Sequence, residues 1–237
     1  MMLPEMRQLC LSLPKEATPS EYASSVLDDN ILAKPTTSSR VKSLRHLIEL
    51  YSLDYHRSLF RALRQFAEVD PQSLPLMAMA CAFCRDRQLR ASFDLISTLQ
   101  PGEILPRQKM EAHLEEAFPG RFSDAMKKSL AQNVNTTWTE SGHLVGRAKK
   151  VRGVPQSRPI ASVYAMFAGY LAGFRGEILL NSVFARLVGA NASLIISHLG
   201  SATARPYVRF RHAGGVTEVD FSPLQATGDL ELALGKN

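Results

Sequence analysis

From Ser123 to Arg158 the chain runs from an amphipathic helical pattern, through a glycine, into a basic segment without an acidic residue. Ser123 can accept a first-turn N–H as an N-cap, and Asp124 favours the positive end of the helix that follows. Met126, Leu130, Val134 and Trp138 recur at every fourth residue, which predicts an inward stripe. Lys127, Lys128, Gln132, Asn135 and Thr139 then fall on the outer faces. Gly142 is where such a helix should stop, and His143 to Val154 reads as extended and basic. Between Ser141 and Gly176 stand Arg147, Lys149, Lys150, Arg152, Arg158 and Arg175, with no Asp or Glu. Those six charges equal the formal net charge of the whole chain, +6. A field of that kind gathers phosphates, so the first partner expected is a nucleic acid.

The residues upstream sharpen this reading. Gln100-Pro101-Gly102 forms a turn, Glu103 to Pro106 fits a short strand, and Arg107 to Phe118 fits a helix with Met110, Leu114 and Phe118 inward. Pro119-Gly120-Arg121 turns the chain into the capped helix. Short strand, helix, turn, second helix, basic extended segment is the order of a winged helix-turn-helix, whose second helix enters the major groove. Asn and Gln can pair with adenine edges, and Lys and Arg hold phosphates. The candidate contacts to duplex DNA are therefore Lys127, Lys128, Gln132, Asn135, Arg147, Lys149, Lys150, Arg152 and Arg158. Leu144, Val145 and Val151 are expected to anchor the basic strand. The plain alternative is a packed helix pair with a solvated polar face beside a solvated basic loop.

The remainder predicts a mainly α fold with three regions: a helical lobe over 1–100, the winged-helix-like region over 101–158, and a helix pair with a β-hairpin over 159–237. Thr18-Pro19-Ser20-Glu21 is a capping box with proline at the first helical position. After Pro35 a second helix should carry Val41, Leu44, Ile48 and Tyr51 inward. Asp54 is placed to cap a third, with Leu59, Leu63 and Phe66 inward, and Asp70-Pro71 ends it. Ser73 to Leu99 reads as one broken helix or two consecutive ones. Ile160 to Phe174 and Glu177 to Leu187 form the helix pair; Ala161, Ala165, Gly169 and Gly173 mark a close-approach face. Tyr207 to Phe210 and Val216 to Phe221 alternate about Ala213-Gly214-Gly215, a hairpin pattern, and the tail from Gln225 is expected to be loose.

An enzyme is not expected. Cys81-Ala82-Phe83-Cys84 lacks a second ligand pair for zinc and lies in a helical run, which favours buried core thiols. The histidines, at 46, 56, 113, 143, 198 and 212, form no HxxxH pair, and Glu140-Ser141-Gly142-His143 lacks a nucleophile elbow. No phosphate loop or GxGxxG is present, and no cofactor is implied. Three cysteines, at 10, 81 and 84, make no disulfide framework and point to the cytoplasm. Pro159 to Phe174 is a charge-free run of sixteen residues, short of the roughly 20 that a bilayer needs, so no membrane insertion is expected.

Leu27-Asp28-Asp29-Asn30-Ile31-Leu32-Ala33-Lys34, the following Thr36-Thr37-Ser38-Ser39-Arg40, and the helices leading into Thr137-Trp138-Thr139-Glu140-Ser141-Gly142-His143-Leu144 resemble BrxA-type proteins of bacterial BREX phage-defence systems. The resemblance implies a mainly helical, non-enzymatic, DNA-associated protein working beside other defence-system proteins, among them a methyltransferase and ATPases. The competing expectation is a scaffold subunit that holds partner proteins through the Ala/Gly face and the apolar C-terminal half. RNA is a weaker third option, because no aromatic stacking platform is evident.

Overall fold

A computed structural model describes residues 1–202, 207–214 and 216–225. Helix α1 (Leu3–Ser12) buries Met6 and Leu9. Helix α2 (Pro19–Leu27) starts at the Thr18 capping box, in which Thr18 Oγ1 accepts the Glu21 N–H and Glu21 returns its carboxylate to the Thr18 N–H at 2.6 Å. Helix α3 (Thr37–Tyr51) is capped by Thr36. Its inward face is Leu44, Leu47 and Tyr51, while Val41 and Ile48, expected inside, are exposed.

Helix α4 (Ser58–Val69) starts past Asp54, whose carboxylate accepts the His56 N–H instead of capping the helix. Its Arg64 is only 1% exposed. That guanidinium donates to the carbonyls of Leu9 and Leu13 at the end of α1 and to the Tyr22 hydroxyl. The cation thus sits at the negative end of the α1 dipole and ties three helices together. A 3-10 turn, Pro71–Ser73, follows the break at Asp70. Helices α5 (Leu74–Arg85) and α6 (Arg87–Thr98) meet at Asp86, whose carboxylate accepts the N–H groups of Gln88 and Leu89.

Strand β1 (Ile104–Leu105), helices α7 (Arg107–Ala117) and α8 (Asp124–Glu140), and strands β2 (Leu144–Val145) and β3 (Lys150–Arg152) come next. They form a small antiparallel sheet of order β1-β3-β2, with Ile104 and Val145 both opposite Val151.

The C-terminal part is richer in helix than the expected pair. Helix α9 (Pro159–Leu171) is followed by two short helices, α10 (Gly176–Leu180) and α11 (Val183–Leu187), where one was expected, and by α12 (Ala192–Ala202). Helix α9 is buried almost all round, packing on α4, α5, α11 and α12. Tyr164 donates to the Leu59 carbonyl at 3.0 Å, joining α9 to α4. Cys81 and Cys84 lie in the same core, where burial pushes the Cys81 thiol up to about 11 and the Cys84 thiol higher still. Strands β4 (Arg209–Ala213) and β5 (Val216–Asp220) pair as a hairpin, and a 3-10 turn, Ser222–Leu224, follows. Gly215 and the tail from 226 onward lie outside the described residues. Among the described residues no single helix is long and apolar enough to cross a membrane.

The small-residue face of α9 is used inside the chain. A β-carbon added at Gly169 would lie 2.7 Å from Leu179 Cδ1 and 3.1 Å from Phe184 Cδ2. Gly169→Val should therefore lower stability by about 1–3 kcal/mol, the usual cost of overpacking. A urea titration checks this; an unchanged midpoint would mean that α10 and α11 move aside without cost.

Candidate nucleic-acid interface

Helix α8 is held from its C-terminal half. Trp138 is fully buried: its indole N–H donates to Ser92 Oγ at 2.9 Å, and its ring stacks on Phe93 with centroids 5.7 Å apart. On its other side the ring meets His143 edge-on at 4.8 Å. Ser141 Oγ lies 2.9 Å from His143 Nδ1, so these neighbours form an internal contact rather than an exposed nucleophile and base. Burial, and then the Arg152 guanidinium, push the His143 imidazole down to about 3, and it is neutral at ordinary pH.

The inward face of α8 differs from the expected stripe. Val134 and Trp138 are inside, but Ala131, Asn135 and Thr137 join them, and Met126 is 56% exposed. Four residues turn a helix by about 400°, so a strict four-residue stripe drifts about 40° per step and winds off the core within three steps. Asn135, expected to face a base, is only 4% exposed, and its Oδ1 has no partner among the described residues. Gly142 ends the helix with φ +81°, as its position predicted.

The extended basic segment is a hairpin, β2 to β3, and its turn depends on Gly146. Gly146 has φ +94°, and a β-carbon there would fall 2.2 Å from the Lys149 carbonyl oxygen. Lys150 Nζ donates to the Gly146 carbonyl at 2.8 Å across the same turn. On the inner face of this sheet Leu105 and Leu144 are buried. On the outer face Ile104, Val151 and Val145 make one row; Ile104 and Val145 are exposed, so Val145 does not anchor the strand.

The candidate cations divide into two sets. Lys128, Arg147 and Lys149 are exposed, as is Gln132, and Lys150 is half-buried with burial lowering its pKa. The other cations are engaged within the protein. Lys127 pairs with Asp124 at 2.9 Å and Glu115 at 3.1 Å. Arg152 is half-buried and donates to the carbonyls of His143 and Gly153. Arg158 makes a two-pronged pair with Asp70 at 2.8 and 3.1 Å. Each of these three, expected as a phosphate contact, has partners within the chain. No protein-family model, curated protein or solved structure matches this chain. Among the described residues, no group of three His, Cys, Asp or Glu is placed to hold a metal ion. The exposed set offers electrostatic chemistry: Lys128, Arg147 and Lys149, with the Gln132 amide, on a helix and a tight hairpin.

Two measurements follow. Trp138→Ala should cost about 3–5 kcal/mol and Met126→Ala less than about 0.5, read from denaturant melts. The His143 pKa is lower folded than its ordinary 6.5, so the unfolded chain takes up the proton first as pH falls. Its stabilising contribution is complete above pH 6.5 and is lost as pH drops towards 3, at about 1.4 kcal/mol per unit. His143→Gln should flatten that part of the stability–pH curve, and an identical slope would place the titration elsewhere.

Proposed function

We propose that this chain is a non-enzymatic protein that binds double-stranded DNA through residues 101–158, used as a winged helix-turn-helix-like unit. The observation that carries the reading is the pairing of one polar helix with one basic hairpin. Lys128 and Gln132 stand on α8, Arg147 and Lys149 at the tip of β2–β3, and all four side chains are exposed. The β1-β3-β2 order, with α7 and α8 inserted between β1 and β2, supports it. So does the absence of acid between Ser141 and Gly176. Binding in this reading is mainly to the phosphate backbone, with Gln132 the remaining candidate for reading a base. The resemblance of 27–40 and 137–144 to BrxA-type proteins supports an accessory place in a cytoplasmic phage-defence system, beside other defence proteins.

The scaffold reading changes its surface. The face of α9 is already occupied by Leu179 and Phe184, so it offers no docking site. The exposed Ile104 and Val145 favour that reading instead, as an apolar strip on the outer side of the sheet.

Salt separates the two. Lys128, Arg147 and Lys149 changed together to Ala should weaken binding to unrelated duplexes alike and reduce the slope of log K against log salt by about 0.9 per lost contact. Arg158→Ala should leave that slope unchanged, because its charge is paired with Asp70. Gln132→Ala should narrow the difference between two duplex sequences. Electrophoretic shifts across a salt series, with single-stranded DNA and RNA as comparators, read all of these. A folded triple variant with unaltered affinity and slope removes the DNA reading, and salt-insensitive capture of a protein partner favours the strip.

A further inference from the structure

We propose a phosphate-binding pocket in the cleft between β3, α6, α10, α11 and the start of α12. The cleft holds about 530 Å³, within the size range of small-molecule sites. Arg152 enters it from β3 and Arg186 from α11, with Asn181, Asn191 and Ser97 around them. Among the described residues its walls carry no Asp or Glu, so nothing in them neutralises the two guanidiniums. This sets the cleft apart from cations such as Lys34, Arg107, Lys127 and Arg158, each of which has a carboxylate within 4 Å.

Three details point to an anion with several acceptor oxygens. Arg152 uses one terminal nitrogen on the His143 and Gly153 carbonyls, and its buried Nε has no partner among the described residues. Arg186 is exposed and forms no ion pair among the described residues; its guanidinium carbon stands 5.7 Å from the Phe93 ring centroid. Asn191 caps α12 by accepting the Leu194 N–H at 2.9 Å, and Ala192 brings the start of this helix, the positive end of its dipole, to the cleft wall. Two planar guanidinium forks and a helix start match the acceptor-rich, tetrahedral phosphate group. The inference stands apart from the DNA reading: it uses Arg152, which makes no surface contact there, and Arg186, some thirty residues beyond the hairpin.

The pocket has a built-in reporter. Phe93 lines it and stacks on Trp138, the only tryptophan of the chain. Inorganic phosphate and adenosine monophosphate, titrated at constant ionic strength, should each give a saturable change in Trp138 fluorescence and a raised melting temperature; chloride should give neither. Arg186→Glu should weaken that binding about tenfold or more, the scale of a lost charge-assisted hydrogen bond, and Arg186→Lys should recover part of it. Asn181→Asp, at an exposed position, supplies a second variant that adds a carboxylate to the wall. Duplex DNA separates the sources of phosphate. If it displaces the nucleotide and loses affinity in Arg186→Glu, the pocket takes a backbone phosphate; if DNA is indifferent while the nucleotide is lost, the ligand is a free phosphomonoester. The Lys128, Arg147 and Lys149 variant must still bind the nucleotide, which keeps failure of the DNA reading distinct. Absence of saturable phosphate or nucleotide binding, with duplex affinity unmoved by Arg186→Glu, overturns the pocket.

Discussion

The burial of one indole sets the geometry of the middle of this protein. Trp138 touches Ser92 and Phe93 on α6 and His143 at the entry to β2, so a single side chain decides the rotation of α8 and the point where the hairpin leaves the core. An indole N–H without a partner would be costly there, and the Ser92 hydroxyl supplies one. His143 completes the contact only as a neutral ring, which low polarity and the nearby guanidinium ensure. Everything outward of this knot, including Lys128 and the hairpin tip, takes its position from it.

A second lesson lies in where the cations go. Six positive residues without an acid read along the chain as one basic surface, yet two of them are used indoors or across the molecule. Arg158 finds its carboxylate on Asp70, 88 positions away, and Arg152 turns to carbonyls close by in sequence. Charge runs register only neighbours along the chain, whereas ion pairs are settled by folding. The same blindness hid Arg186, which nothing in the local pattern links to Arg152.

What could be read beforehand was local. The Thr18 box, the Ser123 cap, the Gly142 stop and the Asp70-Pro71 break each rest on a few adjacent residues, and each stands in the structure. The mainly helical character with a small antiparallel sheet was equally legible from periodicity. Rotation about helix axes was not: the outward Val41, Ile48 and Met126 and the inward Asn135 reflect which neighbours a helix meets. Helix α12 went unforeseen because Gly189-Ala190-Asn191-Ala192 resembles a loop until Asn191 is seen as its cap. Helix α1 lacks a side-chain cap altogether.

The wet row of Ile104, Val151 and Val145 has a consequence for how the molecule behaves in company. An apolar strip on a sheet ordinarily invites other chains to add strands along its border. Here the outer strands, β1 and β2, are two residues long, so each border offers hardly any unpaired backbone to a newcomer. Brevity of strand guards a surface that its side chains leave unguarded. Lengthening either strand, by a longer hairpin or an inserted segment, would turn a tolerated patch into a template for self-association.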